Sequence, residues 1–188
     1  MQLDMEITEF YNNFPSPEEI PSALVKLFNY ANQVETYFSG YFELVTNGKE
    51  SAISWFSKDE TAANQFIIFG ENTDNSLYGF WLYGNRKISE APIIFLSSEG
   101  TDNSVLANNI EEFLTLLAIG YDELGYAAYS QEPEKEATTE LQNFRTWLKQ
   151  EFGIIPPATG ENIIAQAKSQ HPNLDHWIEQ WQEKHFGK

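Results

Sequence analysis

The feature that most constrains this chain is a run of three short apolar segments whose connections are too short to hold a crossover helix. They are Phe66-Ile67-Ile68-Phe69, residues 77–83 and Ile93-Ile94-Phe95-Leu96, each aromatic or β-branched and bounded by Gly, Asn, Asp or Pro. Parallel neighbours need a crossover of a dozen or more residues, so these segments predict a mainly antiparallel sheet. Upstream, Phe42, Leu44 and Thr46 alternate with Tyr41, Glu43 and Val45. That period predicts a further strand, Asn47-Gly48 predicts a hairpin turn, and residues 53–56 would be the returning strand.

On either side of the sheet the period becomes helical. Leu3, Ile7, Phe10, Tyr11 and Phe14 predict a helix over 4–14, ended at Phe14-Pro15. Ser16-Pro17-Glu18-Glu19 has the form of a capping box, followed by the stripe Ile20, Leu24, Leu27, Phe28 and Ala31, with Pro21 as an alternative helix start. Leu106, Ile110, Phe113, Leu114 and Leu117 predict a helix lying on the sheet. Residues 130–137 read as a polar linker. Three helical patterns follow: Leu141, Phe144, Leu148 and Phe152, stopped at Gly153; Ile163, Ile164 and Ala167; and Leu174, Trp177, Ile178 and Trp181. Their apolar faces are expected to bury against the preceding core. The fold class is therefore α+β, with an N-terminal helix over 1–14, an α+β domain over 15–125 and a helical extension over 130–188.

Charge narrows the function. The 188 residues include 28 acidic and 11 basic side chains, a net charge of −17, shared almost equally between residues 1–100 and the remainder. Such a surface repels nucleic acid, whose binding depends on Lys and Arg displacing counterions. It steers basic proteins inward. The same charge also keeps an aromatic-rich chain in solution. No segment has the roughly 18–20 apolar residues of a membrane span. The acidic start Met1-Gln2-Leu3-Asp4-Met5-Glu6 lacks the basic lead of a secretory signal, so the expected location is cytoplasmic.

The sequence carries no cysteine, which excludes disulfides, thiolate metal sites and thiol catalysis. His171, His176 and His185 are five and nine residues apart, not the three or four that zinc pairs on a helix favour. There is no G-x-S-x-G elbow, no phosphate-binding glycine loop, and no complete calcium loop in Glu71-Asn72-Thr73-Asp74-Asn75. Gly79 and Gly84 read as a bulge or a turn. With 28 acids, some carboxylate pair fits almost any glycosidase spacing, so a two-carboxylate hydrolase stays open as an alternative. A small-ligand or peptide-binding module is another. No cofactor is expected, and the leading expectation is a binding protein rather than an enzyme.

Four segments in register carry a family resemblance. They are Phe66-Ile67-Ile68-Phe69-Gly70-Glu71-Asn72, Tyr78-Gly79-Phe80-Trp81-Leu82, Ala91-Pro92-Ile93-Ile94-Phe95-Leu96 and Asn109-Ile110-Glu111-Glu112-Phe113-Leu114, with Ile20-Pro21-Ser22-Ala23-Leu24 upstream. Together they resemble the SUKH superfamily, named partly for the fungal Smi/Knr regulators of cell-wall synthesis. The chain lacks the Asn-Gly-Gly turn of many members, and residues beyond 130 lie outside the common domain. The resemblance implies a bent sheet flanked by helices, no cofactor and a protein partner. Bacterial members are immunity proteins against toxins, often nucleases, and fungal members are regulatory scaffolds. It supplies no catalytic residue. The candidate partner contacts are Glu71, Asp74, Tyr78, Trp81, Glu99 and Asp102, on strand ends and loops beside these segments.

Overall fold

A computed structural model describes residues 5–129, 132–133 and 136–187. Its centre is a five-stranded antiparallel sheet in sequential order: β1 (Glu43–Leu44), β2 (Phe66–Glu71), β3 (Leu77–Trp81), β4 (Ile93–Leu96) and β5 (Ser104–Ala107). The described helices are α1 (Ile7–Tyr11), α2 (Ser22–Ala31), α3 (Gly48–Trp55), α4 (Glu60–Ala63), α5 (Ile110–Leu117), α6 (Thr139–Phe152), α7 (Glu161–Gln170) and α8 (Leu174–Phe186). The fold class is α+β, as the sequence predicts. None of these helices is long and apolar enough to cross a membrane.

Both faces of the sheet are covered. On one, Ile67, Phe69, Tyr78, Phe80, Ile93 and Phe95 pack with apolar side chains of α2, α5 and α6. On the other, Phe66, Ile68, Leu77, Trp81, Ile94 and Leu96 pack with Phe56 and with Ala167, Leu174, Ile178 and Trp181 of α7 and α8. The C-terminal helices thus bury their stripes against the core, as expected, and form a layer of it. α6 also holds α2 through Lys26 and Glu151 at 3.0 Å.

The hairpin expected at Asn47-Gly48 is absent. Gly48 is the first residue of α3, and residues 53–56 lie on that helix and its end, not on a returning strand. Glycine is required there for closeness, because a Cβ would strike the Ile68 carbonyl oxygen of β2. Asn13 fixes the junction: its Oδ1 accepts from Gly48 N–H at 2.8 Å and its Nδ2 donates to the Val45 carbonyl at 2.7 Å.

Other boundaries also move. Leu106 belongs to β5, and α5 begins only after Asn109, whose side chain accepts from Glu112 N–H at 2.9 Å. Ser16 opens a 3-10 turn over Pro17–Glu19 without a side-chain cap, and α2 starts after Pro21. The first helix is one short turn and a half, α1; Leu3 and Asp4 lie outside the described residues, as does part of the 130–137 linker. Gly153 ends α6 at φ 67°, as expected.

One irregularity sets the direction in which the end of β2 points. The β2–β3 register shifts between Ile68 and Gly70. Phe69 packs in the α5-side core, and a Cβ at Gly70 would press on the Phe42 ring of that same core. Two successive residues therefore face one side, and Glu71 emerges on the opposite side. Gly79 pairs with Ile68 at this bulge, while Gly84 turns at φ 65°.

Candidate functional site

At one end of the sheet, α3, the β2–β3 and β4–β5 connections and the last turns of α8 enclose an open groove of about 820 Å³. Its carboxylates are Glu50 from α3, Glu71 from the end of β2 and Glu99 from the β4–β5 connection; its aromatic surfaces are Trp55, Trp181 and Phe186. Among the described residues lining it there is no lysine, arginine or histidine. Phe186 is 54% exposed, an apolar side chain presented at the rim.

The walls are tied by specific bonds. The Trp55 indole N–H donates to the Ser97 carbonyl at 2.8 Å, and the Gln182 amide donates to the Gly100 carbonyl at 3.2 Å. The Trp181 indole N–H donates to Asp59 Oδ2 at 3.0 Å, and His185 stacks on Trp181 with Nδ1 3.6 Å from the same oxygen. Asp59 also caps α4 by accepting from Ala62 N–H. These bonds, chiefly that from Ala62 and then that from Trp181, hold its carboxyl below the usual range.

Glu71 is half-buried, and burial first, then the charge of Glu43, pushes its carboxyl up. Glu43 stands across the β1–β2 ladder from it and is likewise pushed up by burial. The exposed Tyr37 and Tyr41 rings lie edge to face, centroids 6.1 Å apart, and Glu43 and Glu71 act on the Tyr37 hydroxyl after burial.

Of the six candidate contacts, the groove gathers Glu71 and Glu99. Asp74 braces the β2–β3 turn instead, accepting from Ser76 N–H at 2.8 Å, from Ser76 Oγ at 2.9 Å and from the Tyr126 hydroxyl at 3.1 Å. Asp102 is exposed on the β4–β5 turn, at φ 56°, and is not among the lining residues. Tyr78 and Trp81 are 0% and 1% exposed, so neither can touch a partner. Helices cover both sheet faces, and each ring sits in one of the two cores. Comparison with family models, curated proteins and solved structures gives no match.

Sequence reasoning missed Glu50, Trp55 and Phe186. The first two were hidden by reading α3 as a hairpin. Phe186 carried a weak signal, lying near the Trp177–Trp181 stripe at the end of α8. Chemically, the groove offers carboxylates beside indole and phenyl faces, a receptor suited to ammonium or guanidinium groups. Among the described residues no three His, Asp or Glu side chains group to hold a metal ion.

Proposed function

We propose that this chain is a non-catalytic protein-binding module that receives a basic partner in the groove, acting as an immunity protein toward a toxin domain or as a regulatory scaffold. The observation that carries the reading is the juxtaposition of Glu50, Glu71 and Glu99 with Trp55, Trp181 and Phe186, with no lysine, arginine or histidine among the described lining residues. A net charge of −17 speeds capture of a basic protein, and an aromatic-bearing pocket supplies the buried anchors that interfaces use. The resemblance to the SUKH superfamily supports the same reading and suggests a nuclease toxin met in the cytoplasm.

The test is direct binding and cell protection against a basic toxin domain encoded beside this chain. Nanomolar-range, salt-sensitive binding that weakens at least tenfold in Glu71→Lys and Glu99→Lys supports the reading. Absence of binding and of protection overturns it.

A two-carboxylate hydrolase is the second reading, favoured by one observation: Glu71 has a raised carboxyl in a groove with two further acids. The variant Glu71→Gln separates the two. A hydrolase loses turnover by orders of magnitude, whereas a binder has no turnover to lose.

A further inference from the structure

The α8 wall of the groove belongs to a layer whose two helices meet at one buried histidine. His171 ends α7, three residues before α8 begins, and is 9% exposed. Its Nδ1 lies 2.7 Å from the Tyr83 hydroxyl, in the 3-10 turn Tyr83–Asn85 that follows β3, and the two rings meet edge to face at 5.8 Å. The Arg86 guanidinium lies over the same phenol ring, 3.9 Å from its centroid, and donates to the Tyr83 carbonyl at 3.2 Å. Trp81 packs against Tyr83 with ring centroids 4.1 Å apart and planes tilted by 32°.

This arrangement suits a neutral imidazole. In the tautomer with its proton on Nε2, Nδ1 accepts from Tyr83 O–H; in the other, Nδ1–H donates to the phenol oxygen, and either neutral form satisfies the contact. Protonation turns Nδ1 into a donor to the phenol oxygen, so the bond reverses and the phenol hydrogen must turn away, while a cation is left buried near Arg86. Arg86 cannot withdraw without giving up the Tyr83 ring and carbonyl. Of the other charged groups near the imidazole, Glu112 of α5 attracts the proton but weighs less than burial and Arg86. Lys168, in the last turn of α7, acts on Asp175 at the start of α8, so that pair of opposite charges lies at the same helix junction. The strand β5, on which α7 packs, has no titratable side chain.

We propose that His171 and Tyr83 form an acid-sensitive latch that holds the α7–α8 layer on the sheet, so that protonation of His171 loosens this layer and with it the α8 wall of the groove. The latch does not depend on what the groove holds. Its direction is set by linkage. The folded-state value of His171 is lowered, first by burial and then by Arg86, so its contribution to docking is present above the ordinary histidine value and is lost as the pH falls through the lowered one.

Hydrogen exchange of the full chain from about pH 8 to about pH 5, corrected for intrinsic rates, tests it. The expected result is a severalfold loss of protection in α7 and α8 at the acid end, while β2, β3 and β4 keep theirs. His171→Gln, which retains a neutral acceptor for Tyr83, should abolish the acid step, and Arg86→Gln should shrink it. NMR titration of the His171 ring supplies a readout that does not need stable variants and should give a midpoint below the ordinary histidine value. Tail protection that is flat with pH, simultaneous loss across sheet and tail, or an undiminished acid step in His171→Gln would overturn the proposal.

Discussion

Glu43 and Glu71 face each other in direct register across the β1–β2 ladder, two carboxylates on one side of a sheet edge. Among the described residues no lysine or arginine is paired with either. Like charges opposed in this way destabilise a strand pair. An edge strand of two residues has few contacts to offset the cost.

Glu71→Gln should therefore stabilise the protein at neutral pH by about 0.2–1 kcal/mol. The folded-state value of Glu71 is raised by burial and by Glu43. Its contribution is fully present below the ordinary glutamate value and is lost as the pH rises through the raised one. The wild type and variant should therefore converge as the pH falls below the ordinary glutamate value. Urea unfolding at neutral pH and below that value checks this.

Gly48→Ala should cost about 1–3 kcal/mol, the usual range for forcing an extra methyl into a packed contact. The added Cβ meets the Ile68 carbonyl and prises α3 from β2. The loss should appear as a shifted denaturation midpoint with an unchanged slope.

Tyr78→Phe should cost about 1–3 kcal/mol. The buried hydroxyl accepts from Gly125 N–H at 3.0 Å and donates to Asn72 Oδ1 at 3.0 Å, and phenylalanine leaves both groups without that partner. Its burial, which drives the phenol well above its ordinary value, also predicts that the wild-type ring does not ionise below the pH at which the fold opens. Ultraviolet titration reads this directly.

Removing residues 130–188 should unfold the remainder or drive it to aggregate. The cut strips Leu174, Ile178 and Trp181 from the second core and exposes Phe66, Ile68, Trp81, Ile94 and Leu96. At about 1.5–3 kcal/mol for each large side chain, the three lost residues alone approach the whole stability of a small domain. Circular dichroism and dye binding of the truncated chain decide it. A well-folded, monomeric product would show that the tail is dispensable.

The sheet was legible because Phe66–Glu71, Leu77–Trp81 and Ile93–Leu96 are β-rich and separated by turn residues. Their nearly unbroken apolar character fits the cover found on both faces, since half-exposed strands alternate, but the sequence reading takes it as strand character alone. Tyr78 and Trp81 nonetheless look like contacts in the sequence, because the layer that covers Trp81, α7 and α8, lies some ninety residues downstream. α3 was lost to local chemistry: Asn47-Gly48 is a strong hairpin signal, and only the tertiary approach to Ile68 explains the glycine otherwise. Leu106 fits the α5 stripe by spacing, and Asn109 is the mark that separates strand from helix. Glu71 and Glu99 were found by their positions at strand ends. Their neighbour Glu50 was not, because its helix was not.

The bulge at Phe69 and Gly70 has an implication for how this surface can change. A single inserted residue in β2 decides whether the carboxylate at its end looks into the groove or into hydrocarbon. Were Gly70 deleted, Glu71 would be carried round to the Phe42 side, and the site would surrender a negative charge without any acidic residue having been replaced. Electrostatics at this mouth is thus a property of chain length in one strand, open to alteration by insertion and deletion as much as by substitution.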